Sequence, residues 1–537
     1  MNGLHTPHIK INRRTAIALG ATLASAAVLY RILKNDFSIK LPRLLKDENS
    51  KRGHLVREPL NLGAVESRTQ HDILIIGSGI SGLSTAYFLE KQGQKNYQIL
   101  EADNRIGGNS AWGQNDLSAF PLGAHYLPIV RNDDLELLKF LKEIGVITGY
   151  KDALPIYNEE YLCGAPHERL FIKGRWQENI IPQYAAAKDE LNQLKEFLRH
   201  VDGLRTQKGR DGKYVFSIPV ENSSRDPEWL KLDQISFRDY LNSKDWSSPY
   251  LDWYVDYCCR DDFGLEAAGT SAWAGLHYFA SRSGVAANAE AQSVLTWPEG
   301  NGFLVKSLHE RITQKVLINS TVRRVVKKND GYDVYYSDAE LKTHVIECKK
   351  IVYAVPKSVV RYIQPELKFK TYAATHPWLL ANIKIKKEAL EEKSSLCWDN
   401  VRFGSDSLGY VNSCHQILSQ QSEFVNITFY HTYSSGESKE LRKSLAGKTE
   451  TDLYQLVITE LKKMHPSIEG AIEEVQFKIV GHGMVGPTPN YIWDERLQNI
   501  KSEPRDLIFA HTERAGISVF EEGFHQGRAA ALRLKGV

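Results

Sequence analysis

Apolar and polar positions along the chain fall into patterns that predict strands and helices. The stretches ILII (residues 73–76) and YQIL (residues 97–100) are short and continuously apolar, which is typical of buried parallel strands. Residues 80–92, between them, are predicted to form a helix. The stretches PWLLANIKIKKEAL and EFVNITFYHTY alternate and carry β-branched residues, which predicts further strands. TDLYQLVITELKKMHP has helical apolar spacing that stops at Pro466.

Three glycines join the first strand to the helix. Gly77, Gly79 and Gly82 form the pattern G-x-G-x-x-G. In this pattern the first glycine allows a tight turn, the second lets the backbone approach a pyrophosphate, and the third lets the helix pack close to the strand. Glu101 ends the second strand, where a carboxylate can accept hydrogen bonds from both ribose hydroxyls. The unit predicts a bound dinucleotide and disfavours NADP, because the carboxylate would repel a 2′-phosphate.

Size, charge and cysteine content narrow the class of protein. The 537 residues suggest two or more domains. A formal charge of +3 with scattered basic residues gives no indication of nucleic-acid binding. None of the six cysteines forms a C-x-x-C pair, so we predict no metal site. Cys258 and Cys259 are adjacent, and we interpret them as structural thiols, with a redox pair as the alternative.

The amino terminus has the order of an export signal. Lys10, Arg13 and Arg14 precede a mildly apolar stretch at residues 15–30, which is short for a membrane span of about 20 residues. The paired arginines resemble a twin-arginine signal, and that route carries folded proteins. We expect a leader over residues 1–34, the twin-arginine translocase as a partner, and a periplasmic or exported protein. Anchoring by an uncleaved leader, or a chance basic pair before a buried helix, are the alternatives.

The stretch EADNRIGG (residues 101–108) resembles a segment of the flavin-containing amine oxidase superfamily. That superfamily includes monoamine and polyamine oxidases, protoporphyrinogen oxidase and carotenoid desaturases. Arg105 and the Gly107–Gly108 doublet match a segment near the FAD pyrophosphate, whereas Asn109 stands where arginine is frequent. The resemblance implies FAD as the cofactor. No cysteine stands where some relatives attach FAD, so we expect noncovalent binding.

Later stretches match the same superfamily in order. FPLGAHYLP (residues 120–128) resembles a glycine-containing strand that passes the flavin ring, and WPEGNGFLVKSL (residues 297–308) resembles a glycine-rich helix entry. VLINSTVRRVVKKNDGYDVYY, with Val322, resembles the strand whose backbone contacts adenine. KIVYAVP (residues 350–356) resembles the strand that re-enters the FAD domain.

The carboxyl-terminal stretch DLIFAHTERAGISVFEEGFHQGRAAAL completes the resemblance. Glu513 supplies an acid that lies beside the ribityl chain and pyrophosphate in relatives, while His511 replaces a glycine. We expect His511 to pack against the flavin or to hydrogen-bond it. Glu521, Glu522 and Gly523 match a helix start whose N–H points at the flavin O2, where it would stabilise negative charge.

The resemblance implies a discontinuous α/β architecture. A Rossmann-like FAD-binding domain of the GR2 type would comprise residues 68–160, 290–365 and 480–537. Residues 161–289 and 366–479 would form an inserted α+β substrate domain, in which FRDYLNS and WLKLDQ suggest helices. Residues 35–67 would be a linker, either a tether or a surface-wrapping segment.

The resemblance also implies site residues. The predicted cofactor-binding residues are Gly77, Gly79, Ile80, Ser81, Gly82, Glu101, Ala102, Arg105, Gly107, Gly108, Gly123, Ala124, His125, Val322, Glu513, Phe520 and Glu521. Two of them are catalytic candidates, each with a purely structural role as the alternative. Phe520 falls where amine oxidases place an aromatic wall of the substrate cage, and His125 could hydrogen-bond the substrate or the ring.

Two further features of the resemblance concern the substrate side. His482 and Met484 are expected near the second cage wall. Many amine oxidases have a lysine that reaches the flavin N5 through water, and Ala381 or Asn382 aligns with it here. That departure puts fast oxygen-driven amine oxidation in question.

The sequence therefore predicts an FAD-dependent oxidoreductase with a small-molecule substrate. It would remove two electrons, as a hydride equivalent to the flavin N5, from an amine or another C–H donor. The electrons would pass to oxygen, a quinone or a redox protein. A desaturase or isomerase acting on an apolar, lipid-like substrate is the first alternative, and a non-catalytic flavin-binding protein is the second.

Overall fold

The computed structural model describes residues 42–47, 50–58, 64–184, 186–290, 292–369, 372–391, 394–417, 422–494 and 504–535. The chain divides into two units, residues 1–43 and 44–537, and the second contains nearly all of the described residues. The predicted leader lies outside the described residues, so export remains a prediction. None of the described helices combines the length and the apolar character that crossing a membrane requires.

The described chain contains both strands and α-helices. The strands are β1 Arg43–Lys46, β2 Ser67–Ile76, β3 Tyr97–Leu100, β4 Trp112–Gln114, β5 Ala119–Pro121, β6 Tyr126–Pro128, β7 Ile147–Lys151, β8 Leu154–Tyr157, β9 Glu168–Ile172, β10 Arg175–Glu178, β11 Val294–Thr296, β12 Val316–Leu317, β13 Thr321–Lys328, β14 Gly331–Ser337, β15 Thr343–Tyr353, β16 Ala374–Thr375, β17 Trp378–Lys386, β18 Asp399–Arg402, β19 Ser407–Asn412, β20 Phe424–Thr432, β21 Ile472–Val480, β22 Val485–Gly486 and β23 Leu507–Phe509. The α-helices are α1 Ser50–His54, α2 Ile80–Lys91, α3 Leu135–Glu143, α4 Lys188–Leu204, α5 Pro227–Leu230, α6 Phe237–Asn242, α7 Pro249–Phe263, α8 Ala272–Ala280, α9 Gly302–His309, α10 Lys357–Ile363, α11 Ser438–Ala446, α12 Glu450–Lys462 and α13 Phe520–Lys535.

A seven-stranded sheet contains the predicted dinucleotide unit. Its order is β12-β3-β2-β15-β14-β13, with β23 beside β15. β2 lies parallel to β3 and to β15, which confirms the buried parallel strands predicted at residues 73–76 and 97–100. β15 pairs with β14 over residues 343–348 and with β23 over residues 351–353. The mixed pairing matches the expected α/β fold.

An eight-stranded sheet forms the second layer, in the order β1-β21-β17-β20-β19-β18-β9-β10. Its central strands β17 and β20 confirm the strands predicted from alternation, and α12 confirms the predicted helix. Alternate residues of β17, such as Leu379 and Ile383, belong to a core shared with α12. Trp378 and Leu380, on the opposite face, line a large cavity. The predicted domain boundaries themselves stay a prediction.

The helix of the glycine motif and the carboxyl-terminal helix meet beside the first sheet. Helix α13 packs against α2 so closely that a Cβ at Gly527 would lie 2.4 Å from the Ser81 carbonyl oxygen. The Ser84 hydroxyl donates to the Phe524 carbonyl over 2.7 Å. The amino-terminal glycine motif and the carboxyl-terminal segment therefore form one continuous surface.

One expected strand is interrupted. Residues 120–128 were expected to pass the site as a strand, but they form the ends of two short strands, β5 and β6. Between them, a Cβ at Gly123 would lie 2.0 Å from the Asn109 carbonyl oxygen, and the Ala124 N–H donates to that same oxygen. This close contact holds the Gly123 and Ala124 backbone against residues 108–110, so these two residues do not pair with a neighbouring strand.

Candidate functional site

A cavity of about 450 Å³ lies where the glycine motif, β17, β20 and the start of α13 converge. This volume falls within the range of small-molecule and cofactor sites, which is about 300–1,000 Å³. Fifteen of the predicted cofactor-binding residues line it: Gly77, Gly79, Ile80, Ser81, Glu101, Ala102, Gly107, Gly108, Gly123, Ala124, His125, Val322, Glu513, Phe520 and Glu521. The structure thus brings together segments that are more than four hundred residues apart in sequence.

The glycine motif has the geometry that its spacing predicts. Gly77 has a φ of +100°, and a Cβ there would lie 2.8 Å from the Ala354 carbonyl oxygen. At Gly82 a Cβ would lie 2.0 Å from the Gly77 carbonyl oxygen, so only glycine lets α2 approach the strand this closely. Gly82 therefore acts behind the cavity wall, and it does not line the cavity itself.

Gly79 differs from its two neighbours because it faces open space. No protein atom of the described residues lies within 4 Å of the position that a Cβ would take at Gly79. The N-cap residue of α2 is Gly79, which has no side chain to cap the helix, so N–H groups of the first turn are available to a ligand. An anionic group such as a pyrophosphate is favoured at such a helix start.

Glu101 is held in place by hydrogen bonds to its carboxylate. The Ser78 N–H and hydroxyl donate to Oε2 over 2.8 and 2.7 Å, and the Asp103 N–H donates to Oε1 over 2.8 Å. Burial raises the pKa of Glu101, while these donors oppose that effect. The oriented carboxylate suits the predicted role of accepting from ribose hydroxyls.

Arg105 does not line the cavity. Its Nη2 lies 3.3 Å from the Asp47 carboxylate, and its Nε donates to the side chain of Asn104. The guanidinium is thus directed toward the segment that contains Asp47. Asn109, which stands where relatives have arginine, does line the cavity and donates to the Gly483 carbonyl over 3.3 Å.

The carboxyl-terminal residues close the opposite side. The Glu513 carboxylate accepts from the Lys357 N–H at 3.1 and 3.2 Å, and burial raises its pKa. His511 lines the cavity, and burial lowers its pKa to about 4, so the ring is neutral at neutral pH. Phe520 begins α13 and is 5% exposed. His482 and Met484 line the cavity as expected.

Several lining residues were not predicted, and the most polar of them come from α7 and the segment after α8. Asp261, Asp262 and Arg282 line the cavity. The Arg282 Nη2 donates to both Asp262 oxygens, at 2.7 and 2.6 Å, whereas Asp261 accepts from the Tyr126 hydroxyl at 3.3 Å. The sequence offers little signal for these residues, because α7 also contains Asp252, Asp256 and Arg260.

Of the two residues expected at the position of the lysine, Ala381 belongs to the core shared with α12, and Asn382 lies on the opposite face of β17. Asn382 lies on the same face of β17 as Leu380, and its Oδ1 accepts from the Thr428 hydroxyl over 2.7 Å. Lys384 instead pairs with Asp116 and Glu473, each at 2.7 Å. The described residues therefore place no lysine of β17 in the cavity wall.

The cavity has polar atoms left for a ligand. The Asn301 Oδ1 and the Thr321 Oγ1 are buried, line the cavity and have no hydrogen-bond partner within the described part of the protein. Buried polar atoms of this kind need a partner, since leaving them unsatisfied costs about 1–3 kcal/mol each. With the helix start, Gly79 and Glu101, they fit a dinucleotide with many hydroxyl, phosphate and ring acceptors and donors.

Together these features define a dinucleotide-binding cavity beside a mixed sheet. The model of the family described as flavin containing amine oxidoreductase matches residues 80–534, and the chain belongs to that family. It is a flavin-dependent enzyme, and FAD is the cofactor that the residues of this cavity would hold.

Matches to individual relatives are shorter. The chain is 26% identical to all-trans-retinol 13,14-reductase of Rattus norvegicus over 156 residues, which is 29% of this chain and 23% of the relative. It is 38% identical to a flavin-containing amine oxidase of Oncorhynchus mykiss over 78 residues, 14% of either chain. The matched stretch thus spans less than a quarter of each relative.

Solved structures share the fold across most of the chain. A putrescine oxidase variant has a TM-score of 0.63 at 14% identity, covering 88% of this chain and 100% of that one. Cyclohexylamine oxidase from Brevibacterium oxydans has a TM-score of 0.59 at 15% identity, covering 87% and 99%. A fatty acid isomerase from P. acnes has a TM-score of 0.60 at 15% identity, covering 86% and 98%. At these identities the likeness concerns the fold, which serves both amine and lipid chemistry.

Proposed function

We propose that this enzyme oxidises an amine at the carbon beside the nitrogen. The observation that carries the proposal is the Asp261 carboxylate, which lines the cavity and forms no ion pair with a cation of the described chain. A carboxylate in a cavity wall is costly unless a partner neutralises it. A substrate ammonium group would be that partner.

The neighbouring charges favour a cationic substrate over a fatty acid. Arg282 pairs with Asp262, so the cluster carries one net negative charge whenever Asp261 is ionised. Burial, reinforced by the Asp262 carboxylate, raises the pKa of Asp261. A cluster with a net negative charge attracts a cationic substrate and repels the carboxylate of a fatty acid.

Aromatic side chains form the rest of the proposed substrate wall. The His125 ring lies 4.8 Å from the Tyr430 ring and 5.6 Å from the Trp398 ring. Burial lowers the pKa of His125 to about 4, so its neutral ring adds no positive charge that would repel an amine. We assign His125 and Phe520 to shaping this wall, since aromatic faces attract ammonium groups.

The cofactor and the chain have separate tasks in this proposal. FAD, when bound, supplies the ring that accepts a hydride equivalent from the substrate carbon. Asp261 holds the ammonium group, and the aromatic wall orients the carbon. The Tyr126 hydroxyl donates a hydrogen bond to Asp261 over 3.3 Å, and this bond orients the carboxylate that would bind the ammonium group.

Anaerobic mixing of the FAD-loaded protein with single donors tests the choice of substrate. We expect amines to bleach the flavin absorbance, and unsaturated fatty acids and retinoids to leave it unchanged. Bleaching by an apolar donor alone would support the desaturase or isomerase alternative. Absence of bleaching with every donor would support the non-catalytic alternative.

The variant Asp261→Asn tests the residue on which the proposal rests. We expect its KM for the amine to rise about tenfold or more, because a hydrogen bond to a charged group contributes about 1.5–3 kcal/mol. In the wild type, KM should rise as the pH falls through the raised pKa of Asp261, since a protonated carboxyl no longer attracts ammonium. The variant should lack this pH dependence, and the surface variant Asp116→Asn should keep it.

A further inference from the structure

A segment upstream of the family match lies against one end of the cavity. We call residues 44–47 and 50–58 the strap. The family match begins at residue 80, so the strap is not part of the region that defines the family. Its contacts nevertheless reach residues of both large sheets and of the cavity wall.

Hydrogen bonds of two arginines tie the strap to the seven-stranded sheet. Arg52 donates from Nη1 to the Asn319 carbonyl and from Nη2 to the Ala339 carbonyl, each over 3.3 Å. In the other direction, Arg323 of β13 donates to the Glu58 carbonyl over 3.1 Å. These bonds hold the second part of the strap over the strand that contains Val322.

Val56 connects the strap to the cavity. Its half-buried side chain lines the cavity and packs against a buried cluster that includes Leu100 and Val322. Leu100 precedes Glu101, the predicted ribose partner, and Val322 is the residue expected beside adenine. Val56 therefore covers the end of the cavity that would hold the adenosine half of the dinucleotide.

The first part of the strap is fixed to the eight-stranded sheet. The Asp47 N–H donates to the Phe477 carbonyl of β21 over 2.9 Å, and Lys46 donates to the Lys448 carbonyl over 2.6 Å. The Asp47 carboxylate lies 3.3 Å from Arg105, which belongs to the segment predicted at the pyrophosphate. The strap thus crosses from one sheet to the other.

We propose that the strap is a cofactor-retaining element, which covers the adenosine half of FAD and must open before the cofactor can leave. Opening breaks the hydrogen bonds of Arg52 and of Glu58 and withdraws Val56 from the cavity wall. Because local opening precedes release, the strap slows FAD dissociation without touching the substrate side. The Asp47–Arg105 pair gives Arg105 a role other than direct contact with the pyrophosphate.

Release of FAD from the full-length holoprotein tests this proposal. The protein is diluted into cofactor-free buffer, and freed FAD is followed by its fluorescence. Arg52→Ala removes two charge-assisted hydrogen bonds without changing the cavity wall, so we expect release to become about tenfold faster. Val56→Ala, which keeps those bonds and opens the wall, should also release FAD faster than the wild type.

The control is His54→Ala, at an exposed position of the same segment, which should release FAD at the wild-type rate. Wild-type release from both Arg52→Ala and Val56→Ala would overturn the proposal. If Arg52→Ala does not fold, as judged by circular dichroism, Val56→Ala decides the outcome alone. No amine enters the assay, so its result is independent of the proposed substrate.

Discussion

Glu101 is the side chain whose geometry best suits its predicted cofactor role, which is to accept hydrogen bonds from ribose hydroxyls. Three donors hold its carboxylate, and it faces the cavity between the glycine motif and Val322. Two of these donors are backbone N–H groups, of Ser78 after β2 and of Asp103 after β3, so backbone positions hold the carboxylate in place. A side chain fixed in this way loses little entropy when a ligand binds.

Replacing Glu101 by Gln should weaken FAD binding. The amide keeps the shape of the side chain but loses the charge that strengthens hydrogen bonds to ribose hydroxyls. We expect the dissociation constant of FAD to rise about tenfold, which corresponds to about 1.4 kcal/mol. Titration of the cofactor-free protein with FAD measures this, and Glu310→Gln, at an exposed position, is the matched control. Equal affinity in both variants would assign Glu101 to the loop structure alone.

Residue roles could be predicted where short-range spacing determines them. Gly77, Gly79 and Glu101 belong to one strand-helix-strand unit, so their sequence separation fixes their positions relative to one another. Asp261 and Arg282 could not be predicted in the same way, because they reach the cavity only through the packing of α7 and α8 against distant strands. The structure shows that these residues line the cavity, whereas almost no pattern in the sequence indicates it.

At the scale of elements, the start of α2 contains two glycines with different roles, one in cofactor binding and one in folding. A methyl group at Gly79 would meet no described protein atom within 4 Å and would project into the space of the ligand. A methyl group at Gly82 would overlap the Gly77 carbonyl oxygen, at 2.0 Å. Two glycines of one motif therefore serve different purposes.

The variants Gly79→Ala and Gly82→Ala should consequently differ in kind. Gly79→Ala, at a φ of −66°, should fold with wild-type stability in the absence of FAD and bind FAD at least about tenfold more weakly. Gly82→Ala should lower the stability of the cofactor-free protein by about 1–3 kcal/mol through overpacking. Thermal unfolding without FAD and titration with FAD distinguish them. Similar loss of stability in both would contradict the assignment of Gly79 to the ligand.

Other elements show where pattern and packing diverge. The alternation in PWLLANIKIKKEAL correctly predicts β17, but it does not show which face of the strand lines the cavity. In the structure Leu380 lines the cavity, and Asn382 lies on the same face. In FPLGAHYLP, the resemblance to the family implied one strand, whereas contacts of Gly123 with Asn109 interrupt it. Local pattern specifies the type of an element, and the neighbouring layers specify its limits and its orientation.

On the scale of the whole molecule, the meeting of α2 with α13 depends on contacts between segments at opposite ends of the chain. β23 has three residues, too few for any periodicity to show that it belongs beside β15. Only the resemblance to a family indicated that the carboxyl terminus returns to the dinucleotide sheet. This closure buries acidic groups, among them Glu521 at the start of α13, next to the cavity.

The buried acids should make the stability of the cofactor-free protein depend on pH. Burial raises the pKa of Glu521 to about 7, above the ordinary value of about 4.3. The folded state then holds the proton more tightly than the unfolded state, so this group contributes stability at low pH that is lost as the pH rises through about 7. Buried histidines act in the opposite sense: burial lowers the pKa of His125 and of His277 to about 4, so they destabilise the fold as the pH falls below about 6.5.

A comparison of variants isolates the acidic contribution, because the histidines are common to both proteins. Glu521→Gln mimics the protonated form, so its melting temperature should exceed that of the wild type at pH 8, with the difference shrinking toward pH 5. The free-energy gain at high pH is at most about 4 kcal/mol, the equivalent of the raised pKa. Glu310→Gln, at an exposed site, should show no such trend. If the melting temperatures of Glu521→Gln and the wild type differed by the same amount from pH 5 to 8, Glu521 would be ionised throughout this range, with a cation compensating its charge. Arg282 is the cation whose charge lowers the pKa of Glu521. In that case the difference in melting temperature would depend on pH once Arg282→Gln is added.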